Sequence, residues 1–497
     1  MRWRPTAWWL TPDVLGVGVL GIGLLASGCG APASEVPGTA PVGAAQAPAA
    51  SPADAPDAEL PAASPRRVAV VTDASAEAHR VAQLAMHGAV LPDDARVAFV
   101  PVIAAADARD PLANFHAALR KLQAGQDADG KVRIAAYGAS STAADRYVGY
   151  LRRYLQARFG DGGPGFVALV PLWRWHRHDR VESTASKHWT IEHAQKKKER
   201  LDGHYGLLGA SASATSKRAS ARLRGRDRNE AADAIELWFL AQPGGGSMRV
   251  TAAGRTAVVD TATEAMGPGY FDLGSGAPVT GAGKATPRTL QIDLDVVGDG
   301  EVRLFGAVLE REAPGVVVDT LGIGGTRATN HVDWDEPLWR DGLQRRAPDL
   351  VMLAYGANES VDEDDEFALY AERLADVLGR FRQAVPAASC LLIGPQDFPL
   401  QLPAAEGDDD APRYGPRPRL QEVIEIQRRL AAERGCGYFD TRAMMGGSGA
   451  MVSWVDEEPA LGAKDHLHFT PLGYGYLGRT LADALMADYD DAPTAGD

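Results

Sequence analysis

Cysteine is nearly absent from this chain: there are three in 497 residues, at positions 29, 390 and 436. Beyond one Asp/His pair near the C-terminus, no Cys, His and Asp cluster has ligand spacing, so neither a metal nor another cofactor is expected. Positive charge is also in deficit. Fifty-one Lys and Arg face 65 Asp and Glu, a formal net charge of -14, which excludes a nucleic-acid binder driven by phosphate contacts. The most apolar run, Val14 to Leu25, is too short to cross a bilayer comfortably. No internal repeat is evident. What remains is ordinary globular composition, 45% apolar and 23% charged. The length exceeds one usual core, which predicts two domains plus extra segments.

The N-terminus reads as an export signal over 1–28: Arg2 and Arg4 precede the short apolar run. Leu25-Ala26-Ser27-Gly28-Cys29 resembles the lipobox of bacterial lipoproteins, although Ala26 stands where that motif usually has Leu. The resemblance implies lipidation of Cys29, a lipid anchor as the sole membrane contact, and a place in the cell envelope. Residues 29–66 are Ala, Pro, Ser and Gly with no apolar period, a disordered tether. Cys390 and Cys436 open two candidate strands, Cys390-Leu391-Leu392-Ile393 and Cys436-Gly437-Tyr438-Phe439. Adjacent parallel strands would bring them close enough to bond in an exported protein; two buried free thiols are the alternative.

Globular patterning begins at Arg67. Val68 to Val71 and Val97 to Val100 read as short strands or ordered extensions. Val132 to Tyr137 is a strand, followed after Ser140 by a helix carrying Ala144, Tyr147, Val148, Leu151, Leu155 and Phe159. The alternation returns with strands at Val316–Val318, Asp349–Tyr355, Leu391–Ile393 and Tyr438–Phe439, and helices around Leu374, Val423 and Leu481. Such alternation predicts a parallel sheet covered on both faces. Between about Leu172 and Arg311 it stops. Ile235–Leu240, Met248–Val250, Thr256–Val259, Leu290–Leu294 and Val302–Phe305 read as strands with Gly-rich turns between them, an antiparallel sandwich inserted into the α/β domain.

The residues that carry chemistry sit at the ends of the parallel strands. Ser140 leaves its strand and opens a helix, where free N–H groups favour negative charge; an N-cap, at Ser140 or Ser141, is the plainer use of serine there. Asp465 and His468 are separated by two residues, so one turn of chain brings the carboxylate against the imidazole and fixes its tautomer. His466 is the alternative base, with its side chain expected to point elsewhere. Asn358, in Gly356-Ala357-Asn358-Glu359, is placed to aim its amide at a developing oxyanion. Gly325, in Gly322-Ile323-Gly324-Gly325-Thr326, lets a backbone N–H come close to a substrate.

Taken in order, Gly138-Ala139-Ser140, Gly325, Gly356-Ala357-Asn358 and Asp465-His466-Leu467-His468 resemble the blocks of the SGNH/GDSL hydrolases. The resemblance spans Val132 to Phe159 and Val316 to Asp488. It implies a three-layer, flavodoxin-like α/β domain, with Ser140, Asp465 and His468 catalytic and Ser140, Gly325 and Asn358 forming the oxyanion hole. The family's Asp before the serine is Ala139 here. Ser141 to Asp145, Arg158 to Phe166 and Leu353 to Glu359 resemble bacterial peptidoglycan O-acetylesterases, which carry an inserted carbohydrate-binding-like β-sandwich. The expected domains are 67–170 and 313–490 for the hydrolase and 171–312 for the insert.

The resemblance implies an exported serine esterase acting on an acylated, O-acetyl-bearing envelope glycan. A glycan O-acetyltransferase and a non-catalytic glycan-binding protein are the alternatives. In the insert, Trp173, Trp175, Trp189 and Trp238 are candidates to stack on sugar rings, with Trp238 read as a core anchor. Lys196 to Lys198 with Arg200, and Lys217 to Arg228, read as solvated, mobile basic loops.

Overall fold

Five short apolar segments line up in parallel at the centre of the molecule, in the order Gly315–Gly322, Lys131–Gly138, Leu350–Ala354, Ser389–Ile393 and Gly437–Phe439. The computed structural model describes residues 72–105, 110–194, 200–274, 290–362, 366–403 and 412–491. The export signal, Cys29, the tether, Val68 to Val71 and Lys196 to Lys198 lie outside the described residues.

These strands are buried on both faces, which is why they read as unbroken apolar runs. Val132, Ile134 and Ala136 face one core with Val316, Val318, Leu350, Met352, Leu391 and Ile393. The helices Asp73–His87, Tyr147–Phe159 and Pro471–Asp491 close that side. Ala135, Tyr137, Val351, Leu353 and Leu392 face the other core, closed by the helices Glu336–Arg346, Phe367–Ala384 and Pro418–Glu433. The fold is three-layer α/β. Its chain order, 2-1-3-4-5, reverses between Lys131–Gly138 and Leu350–Ala354, and the crevice at such a switch point is where open α/β sheets bind ligands.

Two antiparallel sheets occupy the middle of the chain and are consistent with an inserted domain. One holds the strands Gly267–Asp272, Ala234–Ala241, Val302–Glu310, Ala210–Ala214 and Thr190–His193, with Gly165–Val167 also paired to Val302–Glu310. The other runs Val181–Ala185, Ser220–Gly225, Gln291–Val296, Ser247–Ala252 and Arg255–Asp260. Leu237, Phe239, Met248, Val250, Ile292, Leu294, Val302 and Leu304 share the core between them.

Of the two readings of Val97–Val100, the ordered extension is the one found: the segment forms no strand, and Ala98 N–H donates to Met444 O at 2.9 Å, at the end of the short helix Thr441–Met444. Two expectations need correction. The basic stretch from Lys217 is no mobile loop over Ser220–Gly225. That segment is an inner strand with Leu223 fully buried and Arg222 paired with Asp293, so its arginines alternate with core residues. Finally, Ser140 does not open one long helix. Ser140–Ala143 is a single turn, and the chain breaks at Asp145, φ +52°, before Tyr147–Phe159. The break is held by the buried Asp145 carboxylate, which takes two bonds of 3.0 Å from Arg152 and one of 2.6 Å from the Asp179 N–H.

Cys390 and Cys436 are disulfide-bonded, which resolves the open alternative. They stand side by side at the starts of adjacent parallel strands, where Leu391 pairs with Gly437.

Candidate active site

Three of the sequence-derived residues stand just beyond the C-terminal ends of strands of the parallel sheet. Ser140 follows Lys131–Gly138, Gly325 follows Gly315–Gly322, and Asn358 follows Leu350–Ala354. Asp465 and His468 stand just before the helix Pro471–Asp491.

Three of these residues form a hydrogen-bonded chain. Ser140 Oγ lies 2.8 Å from His468 Nε2, and His468 Nδ1 lies 2.7 Å from Asp465 Oδ2. Asp465 Oδ1 accepts the backbone N–H groups of Leu467 at 3.0 Å and His468 at 2.9 Å. Burial pushes the Asp465 carboxyl up, but the bonds from His468 and Leu467 outweigh it and hold it well below the usual carboxylate range. A carboxylate kept ionised beside one ring nitrogen leaves the other to take a proton from the serine. His466 faces away. Its ring stacks on Tyr414, centroids 4.1 Å apart, and its Nδ1 lies 3.2 Å from Lys464 O. Ser141 is not the cap either: its hydroxyl pairs with Tyr474 at 2.9 Å, and the turn has no side-chain cap.

Asn358 lines the same cavity as Ser140. The Ser140 N–H, first in its turn, has no helical acceptor. Asn358 Nδ2 gives one hydrogen to Thr326 O at 2.9 Å, and the amide keeps a second. Gly325 adopts φ +79°, a conformation that favours glycine. Gly356 is needed as glycine for two reasons: φ is +127°, and an added β-carbon would lie 2.7 Å from Pro395 Cγ.

Sequence reading gave Glu359 no role. Its carboxylate is buried and accepts the N–H groups of Gly356 and Ala328, both at 2.9 Å. Burial pushes its carboxyl up against the pull of those bonds. One acid after an apolar strand looks like surface charge, and no sequence signal marks it as buried.

Ser140, Ser141, Gly356, Asn358, Pro395, Gln396 and Leu467 line an open cavity of about 50 Å³. Gln396 Nε2 donates to Leu467 O at 2.8 Å and so steadies the loop that carries His468.

The fold also assembles a cluster that the sequence spacing did not show: Asp145, His178 and Asp179 offer ligand atoms within 4.8 Å of one another. Arg152 binds both carboxylates, and Arg153 Nε lies 2.6 Å from Asp179. The cluster is an ion-pair network that buttresses the Ser140 turn, with its carboxylates already occupied by guanidinium groups.

Residues 281–476 match the GDSL-like Lipase/Acylhydrolase family. The match begins after Ser140, which the antiparallel sheets separate from the later blocks. Among solved structures, a peptidoglycan O-acetylesterase is 26% identical with a TM-score of 0.60, over 75% of this chain and 96% of that one. A family two carbohydrate esterase from Cellvibrio japonicus is 12% identical with a TM-score of 0.24, over 63% of this chain and 99% of its own. An acetyl xylan esterase is 15% identical with a TM-score of 0.24, over 33% of this chain and 78% of its own. No curated protein matches.

Proposed function

The chain carries a GDSL-like lipase/acylhydrolase domain and is a carboxylic ester hydrolase; from that premise we propose that it removes short O-acyl groups, acetyl above all, from a cell-envelope glycan. The observation that carries this reading is the chain Ser140 Oγ, His468 Nε2, His468 Nδ1, Asp465 Oδ2, with links of 2.8 and 2.7 Å.

His468 takes the Ser140 hydroxyl proton as Oγ attacks the ester carbonyl. Negative charge develops on the carbonyl oxygen and is met by the Gly325 N–H, the second Asn358 amide hydrogen and the Ser140 N–H. The imidazolium returns its proton to the departing glycan hydroxyl. Water, activated by the same imidazole, cleaves the acyl-serine, releasing the carboxylic acid and restoring Ser140. Asp465 orients the ring and stabilises the transient imidazolium. Ala139, where the resembling family has Asp, removes none of these groups.

Two observations narrow the substrate. A cavity of about 50 Å³ is far below the several hundred Å³ of a drug-sized ligand site and suits an acetyl group. The similarity to a peptidoglycan O-acetylesterase supports a glycan carrier. The Cys390–Cys436 bond fits an oxidising compartment and so supports export, and the Cys29 motif supplies the anchor. No described helix is long and apolar enough to cross a membrane.

Ser140→Ala should abolish p-nitrophenyl acetate hydrolysis while leaving the circular dichroism spectrum unchanged; full retained activity removes Ser140 as nucleophile. Acetate release from acetylated peptidoglycan against acetylated xylan separates the carriers. Labelled palmitate incorporated into the wild type but not into Cys29→Ala tests the anchor.

A further inference from the structure

We propose that Glu359 is a positioning residue that locks the two oxyanion-donor loops into one unit, an assignment resting on the esterase reading above. Its two carboxylate oxygens reach different loops. Oε1 accepts the Ala328 N–H, just beyond Gly325, and Oε2 accepts the Gly356 N–H, just before Asn358, both at 2.9 Å. A third bridge, Asn358 Nδ2 to Thr326 O at 2.9 Å, joins the same two loops. The loops follow strands that are not neighbours: Lys131–Gly138, which leads to Ser140, lies between them. The sheet ladder therefore cannot set their separation, and the staple across the gap does.

A carboxylate is the side chain this geometry needs. Both partners are donors, and a carboxylate accepts from both, whereas a glutamine has one accepting oxygen and would turn its NH2 toward the other N–H. Bonds from N–H to an ionised acceptor are also stronger than neutral ones. With Glu359 4% exposed, water cannot replace either bond. Oxyanion donors act by being fixed before charge develops, so loosening this staple lowers the chemical step while ground-state binding is spared.

The experiment counts active sites with a fluorophosphonate and measures p-nitrophenyl acetate kinetics per titrated serine. Glu359→Gln should lower kcat about 10- to 100-fold, less than the roughly 10²- to 10³-fold of removing an oxyanion donor outright, with KM within about twofold. Adding Asn358→Ala should cost less than the product of the single losses, because coupled residues are not additive. Unchanged kcat per site, with only a lower melting temperature, or strictly multiplicative losses would overturn the proposal.

Ala328→Pro provides the reciprocal test should Glu359→Gln not fold. Ala328 opens a short 3-10 turn, a position where proline is tolerated, and proline removes the N–H that Oε1 accepts while adding ring carbons at a buried residue. Its kcat per site should fall about tenfold, and wild-type kcat would again overturn the proposal. Absence of both p-nitrophenyl acetate turnover and fluorophosphonate labelling in the wild type fails the esterase reading instead, whatever Glu359 does.

Discussion

Asp465 grips His468 at two points: Oδ2 meets the imidazole Nδ1 at 2.7 Å, and Oδ1 accepts the His468 backbone N–H at 2.9 Å. The second bond fixes the carboxylate on the same residue whose ring it orients. Asp465→Asn keeps the shape but brings an NH2 to a ring nitrogen that must itself donate. The imidazole then settles in the wrong tautomer, with its proton on the nitrogen facing Ser140. We expect kcat for p-nitrophenyl acetate to fall about 10²- to 10⁴-fold with KM little changed. Because the carboxyl is held well below its ordinary range, any acid limb above about pH 4 in the wild-type profile belongs to another group, judged against the ordinary carboxylate value.

Asp349 predicts a pH dependence of stability. It precedes Leu350–Ala354, and its Oδ2 accepts the Arg133 N–H at 2.9 Å. Burial, aided by the nearby Asp127 and Asp129 charges, pushes its carboxyl up to about 6 despite that bond and Arg133. The folded state thus holds the proton more tightly than the unfolded chain. This contribution to stability is full below about pH 4 and is lost as pH rises to about 6. Asp349→Asn removes the titration and still accepts the Arg133 N–H. The variant should gain about 1–3 kcal/mol relative to wild type at pH 7.5 and little at pH 4, read from urea melts at both values. An equal difference at the two pH values removes Asp349 as the cause.

The Cys390–Cys436 bond closes a loop with a sequence separation of 46. It sits at the starts of its strands, whereas the site sits at the strand ends. Stability and activity should therefore separate. Reduction, or replacement of both cysteines by serine, should cost about 2–4 kcal/mol in denaturant melts and leave kcat at 25 °C within about twofold. A matching loss of kcat would show that the strand ends move with the strand starts.

Much of this architecture was legible because the parallel strands are buried on both faces and so spell themselves as apolar runs. The Asp465–His468 pair was legible because its spacing has a mechanical meaning. The misses share a physical cause. Ala210–Ala214 is Ala-Ser-Ala-Ser-Ala, fully buried, yet too small-chained to register as apolar. Ser220–Gly225 hides Ala221 and Leu223 among arginines. Glu359 is a charged side chain whose burial depends on two loops meeting, which no local pattern encodes.

The tryptophans divide once placed in the fold. Trp238 is buried, with Nε1 donating to Glu236 at 2.6 Å, and Trp189 donates to Ser220 O at 3.0 Å in the antiparallel sheets. Trp173 and Trp175 sit differently. The Arg177 N–H donates to Ala143 O at 3.1 Å, tying their loop to the Ser140 turn, and a β-carbon built on Gly324 would lie 3.6 Å from Trp173 Nε1. Trp175 is 63% exposed, with the Arg174 guanidinium 4.8 Å from its ring centroid. An exposed indole on the loop tied to the Ser140 turn offers a flat face to a sugar ring, a contact a small ester never reaches. Trp175→Ala should leave p-nitrophenyl acetate kinetics within about twofold, since an exposed side chain holds no core. On acetylated peptidoglycan its KM should rise about 5- to 10-fold, the equivalent of about 1–1.4 kcal/mol of aromatic contact. The ratio of the two KM changes is the measurement. If it stays at one, the polymer does not pass over this loop.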